Sequence, residues 1–139
     1  MTTPLAPPLT YLMSFLVEVG EACAISASTP ARRFVPIRGG EIRGRVTGRI
    51  LSGGGDWQTI RADGTIDLAA HYVVSLDDHG LVEVRAAGVR HAMPESVYFR
   101  TAIQFSTEAP GLDWLTRRVC LWTGRRTATH VTLDILELG

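Results

Sequence analysis

Apolar and polar side chains alternate with a period of two through most of the chain. The alternation breaks at glycine, proline and Asp-Gly positions, and the 3.6-residue spacing of an amphipathic helix is nearly absent. Strands are predicted over Tyr11–Val19, Arg33–Ile37, Gly48–Leu51, Trp57–Arg61, Thr65–Leu76, Leu81–Ala86, Val97–Phe105, Arg118–Thr123 and Val131–Leu138. Short strands at such close spacing predict an all-β barrel or sandwich. Asp63-Gly64 separates two of them as the preferred pair of a type I′ hairpin turn. Asp77-Asp78-His79-Gly80 forms a second turn, and Gly39-Gly40 a turn or bulge. Linked hairpins make an antiparallel meander. Pro4, Pro7 and Pro8 extend residues 1–10 as an arm ahead of a single β domain over 11–139, Ser26–Ala31 reads as a loop, and Gly111–Thr116 as a single helical turn begun near Asp113.

Period two also sorts side chains by face. Ile66, Leu68, Ala70, Tyr72, Val74 and Leu76 share one face, and His71 lies on the other with Asp67 and Val73. Phe99, Thr101, Ile103 and Phe105 oppose Tyr98, Arg100, Ala102 and Gln104. Trp57, Thr59 and Arg61 fall together, as do Arg118, Cys120 and Trp122. In a closed barrel either set of rows can face the lumen. With the apolar rows covered from outside, the rows bearing Tyr, Trp, Arg and His line a cavity; with the apolar rows packed inward, they are wetted surface.

Composition narrows the function classes. A chain of 139 residues with 45% apolar content suits one core. Fourteen basic and fourteen acidic residues cancel, and they are interspersed, which argues against nucleic acid or an anionic membrane as partner. Every basic residue is arginine, so Schiff-base and Walker-lysine chemistry are excluded. Arginine-only usage suggests a GC-rich genome, and with it a role in secondary metabolism is expected. The first basic residue is Arg32, so the cationic flank of a signal peptide is missing and a cytoplasmic address is expected. No apolar run is long enough for a spanning helix. Cys23 and Cys120 read as two reduced thiols.

The densest unusual stretch is Gly53-Gly54-Gly55-Asp56-Trp57-Gln58. It lacks the lysine and helix of a phosphate loop. The glycines can fix the Asp56 carboxylate at the barrel rim beside the Trp57 indole, where a dry setting raises its pKa toward the general acid-base range; Asp56 can equally be an Asx-turn residue. His71, His79, His91 and His130 show no metal-ligand spacing and no Cys-x-x-Cys accompanies them, so no metal is expected. His79 reads as a turn residue, His130 as a strand-entry residue and Arg90-His91 as a solvated loop. His71 is either a titrating group or a structural one. Arg100, within apolar sequence, needs a partner: a ligand carboxylate or enolate, or an acid such as Asp56, Asp67 or Asp134. No activated serine is apparent.

Val35-Pro36-Ile37-Arg38-Gly39-Gly40, Gly44, Gly48, Gly53-Gly54-Gly55-Asp56-Trp57-Gln58, Asp63-Gly64, Tyr72, Gly88, Tyr98-Phe99-Arg100-Thr101 and Trp114-Leu115 together resemble the DUF3237 (UPF0311) family from Val17 onward. The resemblance implies an antiparallel calycin-like β-barrel with at most one short helix, and little about chemistry. The chain departs from the family pattern in carrying His71 ahead of Tyr72, where arginine is usual, and in a short Ala92–Val97 connection. The first exchanges a fixed cation for a titratable ring; the second opens the barrel mouth.

These readings converge on a cofactor-free barrel that binds a small carbonyl-bearing metabolite and acts as an isomerase, cyclase or lyase; the alternative is a non-catalytic binding protein. Asp56, His71, Tyr98 and Arg100 are the expected catalytic groups, with Trp57, Arg61, Tyr72 and Trp122 binding substrate. Exposed Phe or Trp rows also make a homodimer plausible.

Overall fold

The computed structural model describes residues 2–77 and 80–139. Its strands are β1 (Leu9–Val19), β2 (Cys23–Ser26), β3 (Ala31–Gly44), β4 (Gly48–Ile50), β5 (Gly55–Ile60), β6 (Ile66–Leu76), β7 (Gly80–Ala92), β8 (Val97–Ser106), β9 (Val119–Arg126) and β10 (His130–Leu138). Every predicted strand is present. A 3₁₀ turn over Asp113–Arg117 stands where the single helical turn was expected. β2, which pairs only with β3 and is largely exposed, carried no apolar alternation to announce it.

All pairings are antiparallel, and the order β1-β10-β9-β8-β7-β6 continues through β4 and β5, both beside β3, back to β1. The result is a closed eight-stranded barrel in which β4 and β5 act as two pieces of one interrupted strand. Closure needs β3 to pair with β5 over Ala31–Pro36 and with β1 over Ile37–Gly44. Gly39-Gly40 lies at that bend, next to the extra residue Arg38 where the register with Glu18 and Val19 shifts, so of the two readings the bulge holds and the turn does not. A Cβ at Gly40 would stand 2.1 Å from the Leu16 carbonyl oxygen, which leaves glycine as the only residue that fits.

The Asp63-Gly64 hairpin forms with a different turn. Gly64 has φ of 89° but Asp63 is not left-handed, the Gly64 N–H donates to the Arg61 carbonyl, and the Arg61 N–H to the Thr65 carbonyl. This is a three-residue loop ending in a left-handed glycine. The Asp63 side chain accepts from the Thr65 N–H, the local bond that makes aspartate a turn former. Of the other turn, Asp78 and His79 lie outside the described residues, while Asp77 adopts φ of 48° and its carboxylate accepts from the Thr47 N–H.

The apolar rows point inward. Ile66, Leu68, Ala70, Tyr72, Val74 and Leu76 are all buried, as are Phe99, Thr101, Ile103 and Phe105. With no helix layer to cover an apolar exterior, inward packing is the arrangement that removes this surface from water, at about 25 cal/mol per Å². At one end Phe15, Val74, Leu76, Val82, Val84, Phe105 and Ile135 fill the lumen, and Leu112 and Leu115 of the 3₁₀ segment close it. Midway along, the inward positions of β6 and β7 shrink to Ala70, Ala86 and Gly88 before Leu68, Ile66 and Arg90 follow. Those small residues leave space.

Candidate functional site

A cavity of about 50 Å³ occupies the open half of the lumen. Its walls are mostly Val, Ile, Leu and Phe, and into it reach Arg33 of β3, Asp56 and Gln58 of β5, Tyr72 of β6, Arg90 of β7, and Trp122 and Arg126 of β9. Each of these polar residues is in phase with an apolar row: Arg33 with Val35 and Ile37, Arg90 with Val82, Val84 and Ala86, Arg126 with Cys120 and Trp122. The alternation aims them inward, and places near strand ends set Arg33, Arg90 and Arg126 by the mouth while Tyr72 and Trp122 sit mid-strand.

Glycines prepare the wall around Asp56. Only Gly53 of the triplet is left-handed, with φ of 110°. Gly54 and Gly55 serve close approach: a Cβ would fall 2.4 Å from the Tyr72 Cβ in the first case and 2.1 Å from the Phe34 ring in the second. The tight crossing holds Asp56 opposite Ala70, where no large neighbour fills the lumen.

Hydrogen bonding inside is strongly unequal. Arg33 Nε donates to Gln58 Oε1 at 2.6 Å, and Gln58 Nε2 donates to Asp56 Oδ2 at 2.6 Å. This relay fixes one carboxylate oxygen. The other, Asp56 Oδ1, is buried without a partner, as are Tyr72 OH, Arg90 Nε, Thr101 Oγ1 and Trp122 Nε1. Four of these five orphaned atoms belong to residues lining the cavity, and Thr101 is the cross-strand neighbour of both Gly88 and Trp122. An unpaired buried polar atom costs about 1–3 kcal/mol, so such a cluster is a feature to be explained.

Burial pushes the Asp56 carboxyl up to about 6, against the opposing pull of the Gln58 donor, the Arg126 charge, the nearby Ala69 backbone N–H and the Arg33 charge. Burial, reinforced by the Asp56 charge, also raises the Tyr72 phenol above its ordinary value, so this hydroxyl stays protonated as a donor. Burial and the repulsion of Arg33 and Arg90 lower Arg126. The lumen therefore presents a carboxyl raised to about 6, neutral O–H and N–H donors, and guanidinium charge in one half-open chamber. That set can hold an organic carbonyl compound and move a proton on it.

Of the residues singled out in the sequence, Asp56, Tyr72 and Trp122 come together here. The remainder lie on the outer wall, because each is one position out of phase with the buried rows. Trp57 packs on Phe34 outside, its back to Asp56, so the indole expected beside the carboxylate is not Trp57; Trp122 shares the chamber instead. His71 Nε2 stands 2.7 Å from Glu83 Oε2, and Arg85 approaches the same carboxylate. Arg61 forks onto Asp67 through two bonds of 2.7 and 2.6 Å. Among the described residues Arg100 finds no acid: it donates to the Phe99 carbonyl and lies over the Tyr98 ring at 5.4 Å, and Tyr98 is exposed. Arg90, read as a loop residue, belongs to β7 and faces inward over Phe99. Arg33, Gln58, Thr101 and Arg126 were missed as site residues. The signal for them was a polar residue in register with an apolar row. Among the described residues no cluster of His, Cys, Asp and Glu suits a metal. No helix is long and apolar enough to cross a membrane. Cys23 and Cys120 are free thiols, and Cys120 is buried.

Comparison with known proteins agrees with this architecture. Residues 7–138 match the family model described as "Protein of unknown function (DUF3237)". A UPF0311 protein of Rhodopseudomonas palustris is 30% identical over 144 residues, covering 92% of this chain and 94% of its own length. A solved β-barrel-like protein from Acinetobacter baumannii superposes with a TM-score of 0.92 at 27% identity over the whole of both chains. A structure described as an enzyme from Penicillium herquei superposes with a TM-score of 0.79 at 25% identity, over 97% of this chain and 98% of the other.

Proposed function

The chain belongs to the DUF3237 family, and we propose that its lumen binds a small carbonyl-bearing metabolite and catalyses cofactor-free proton transfer on it, as an isomerase, cyclase or lyase. The observation that carries this reading is that Asp56, Tyr72, Arg90 and Trp122, each with a buried polar atom that lacks a partner, line one apolar-walled cavity. Buried polar atoms are normally satisfied, so four unsatisfied residues around one space suit a polar ligand. The likeness to a protein described as an enzyme is consistent with it.

In the proposed chemistry Asp56 Oδ1 removes a proton from the carbon next to the carbonyl. The C–H electron pair moves into the enolate, and Tyr72 O–H and the Trp122 indole N–H stabilise the developing oxyanion. Asp56, now protonated, returns the proton to a different carbon, which isomerises the substrate, or to a leaving group, which completes an elimination. A carboxyl titrating near 6 is mostly ionised at neutral pH yet basic enough to hold the proton in transit. The Gln58 bond keeps its free oxygen directed inward.

Deuterium exchange at the α-carbon of small ketones in D₂O, with 2-tetralone as the first probe, tests the reading without knowledge of the natural substrate. The wild type is expected to accelerate exchange, and Asp56→Asn to remove about 10²–10⁴-fold of that rate while the ketone still binds. Equal rates in the two proteins would take Asp56 out of the chemistry. Binding without exchange in the wild type would assign the lumen to a non-catalytic carrier.

A further inference from the structure

The eight ion pairs among the described residues use Glu41, Asp67, Glu83, Asp113, Asp134 and Glu137, and none includes Arg33, Arg90 or Arg126. Yet these three arginines line the lumen in which Asp56 is the one acid among the described residues. Arg33 spends Nε on the neutral Gln58 amide, Arg90 Nε is buried and unpaired, and Arg126 is held against the repulsion of the other two. Guanidinium groups do not shed their charge, so the chamber keeps a net positive charge even with Asp56 ionised. Strand alternation turns these three half-exposed arginines toward one opening without giving any of them an acid there to pair with, an arrangement that an incoming anion complements.

We propose that Arg33, Arg90 and Arg126 form an anion-binding mouth to the lumen, and that the natural ligand is a small organic carboxylate with an apolar skeleton. The inference rests on the ligand-binding reading of the lumen and adds the charge of the ligand to it. A carboxylate matches the planar fork of a guanidinium and is satisfied by two parallel bonds. The deeper wall, with Val35, Ile37, Leu68 and Leu133, asks for hydrocarbon behind the headgroup. Phosphate fits less well: Asp56 shares the chamber and repels a dianion, and no helix N-terminus faces the opening to cradle one. In this arrangement the arginines seize the carboxylate, leaving the carbonyl end of the same molecule to Asp56 and Tyr72.

Matched titrations of the full-length protein with benzoate, benzamide and inorganic phosphate, followed through the tryptophan indole N–H resonances, test the proposal. Benzoate and benzamide share shape and differ in charge. Benzoate is expected to bind about tenfold or more tighter than benzamide, to weaken with added salt, and to shift the indole resonance that Trp122→Phe removes. Arg126→Gln is expected to bring benzoate within about twofold of benzamide. Equal affinity for the two in the wild type overturns the anion proposal while leaving the lumen a ligand site. Phosphate binding tighter than benzoate overturns the carboxylate assignment. Failure of both aromatic compounds to shift the Trp122 resonance overturns the proposal, and with it the reading of the lumen on which it rests.

Discussion

Strand β6 carries ionisable side chains on both of its faces, and the two sets live under opposite rules. Outside, Asp67 receives the Arg61 fork and His71 meets Glu83, so each group has a partner and water as well. Those partners hold Asp67 and Glu83 below the usual carboxylate range, chiefly through the Arg61 and His71 hydrogen bonds. Inside, Tyr72 OH has no partner, and burial drives the neighbouring Asp56 the other way, up to about 6. The same residue types therefore make an ordinary surface on one side of a single layer of backbone and a reactive chamber on the other. A list of polar residues cannot find this site; satisfaction of their hydrogen bonds can.

The contrast sets the order of expected mutational effects. Asp56→Asn should be the largest, with a sign that depends on pH. The folded-state pKa lies above the ordinary value of 3.8, so the folded protein holds this proton more tightly and stability falls as pH rises from about 4 to about 6. Above that window the full penalty, up to about 3 kcal/mol, applies to the wild type and not to the asparagine variant. Urea unfolding at pH 4 and pH 8 should show the variant gaining on the wild type as pH rises, and a constant difference would contradict the buried-carboxylate account. Tyr72→Phe follows in size: removing an unsatisfied buried hydroxyl should leave the unliganded protein as stable or about 1–2 kcal/mol more so. A loss of that size would show that the hydroxyl has a partner. The smallest effects belong outside, where Arg61→Ala and His71→Ala should each move stability by less than about 0.5–1 kcal/mol and leave ketone exchange unchanged. A collapse of exchange in either would bring the outer wall back into the mechanism.

Much of the fold was legible because an antiparallel barrel writes itself as alternation. Phe99, Thr101, Ile103 and Phe105 were grouped correctly, and so were the inward residues of β6. Which set of rows faced inward was not legible, because Tyr98 and Arg100 look as functional on paper as Tyr72 and Arg90. Closure of the sheet decides that question, and closure depends on β3 bending at Gly39-Gly40 to reach both β5 and β1. Asp56 was recognisable from its glycine-rich approach. Its true neighbours were not, since Trp57 is adjacent in sequence but across the wall, while Gln58 meets it by two-residue spacing and Arg33 reaches Gln58 by cross-strand register. The hairpin at Asp63-Gly64 shows the same limit at smaller scale: the dipeptide marks the turn, but the number of loop residues selects its type.

The central claim is that the unpaired atoms inside the barrel are kept for a ligand. Crystals soaked with a mixture of small aromatic ketones and their carboxylic acids test it most directly. The account predicts density in the lumen with oxygen atoms within hydrogen-bond distance of Tyr72 OH and of Arg90 or Arg126. Fragments found only on the outer wall beside Trp57 and His71, with the Tyr72 and Trp122 groups satisfied by one another or by ordered water, would contradict it.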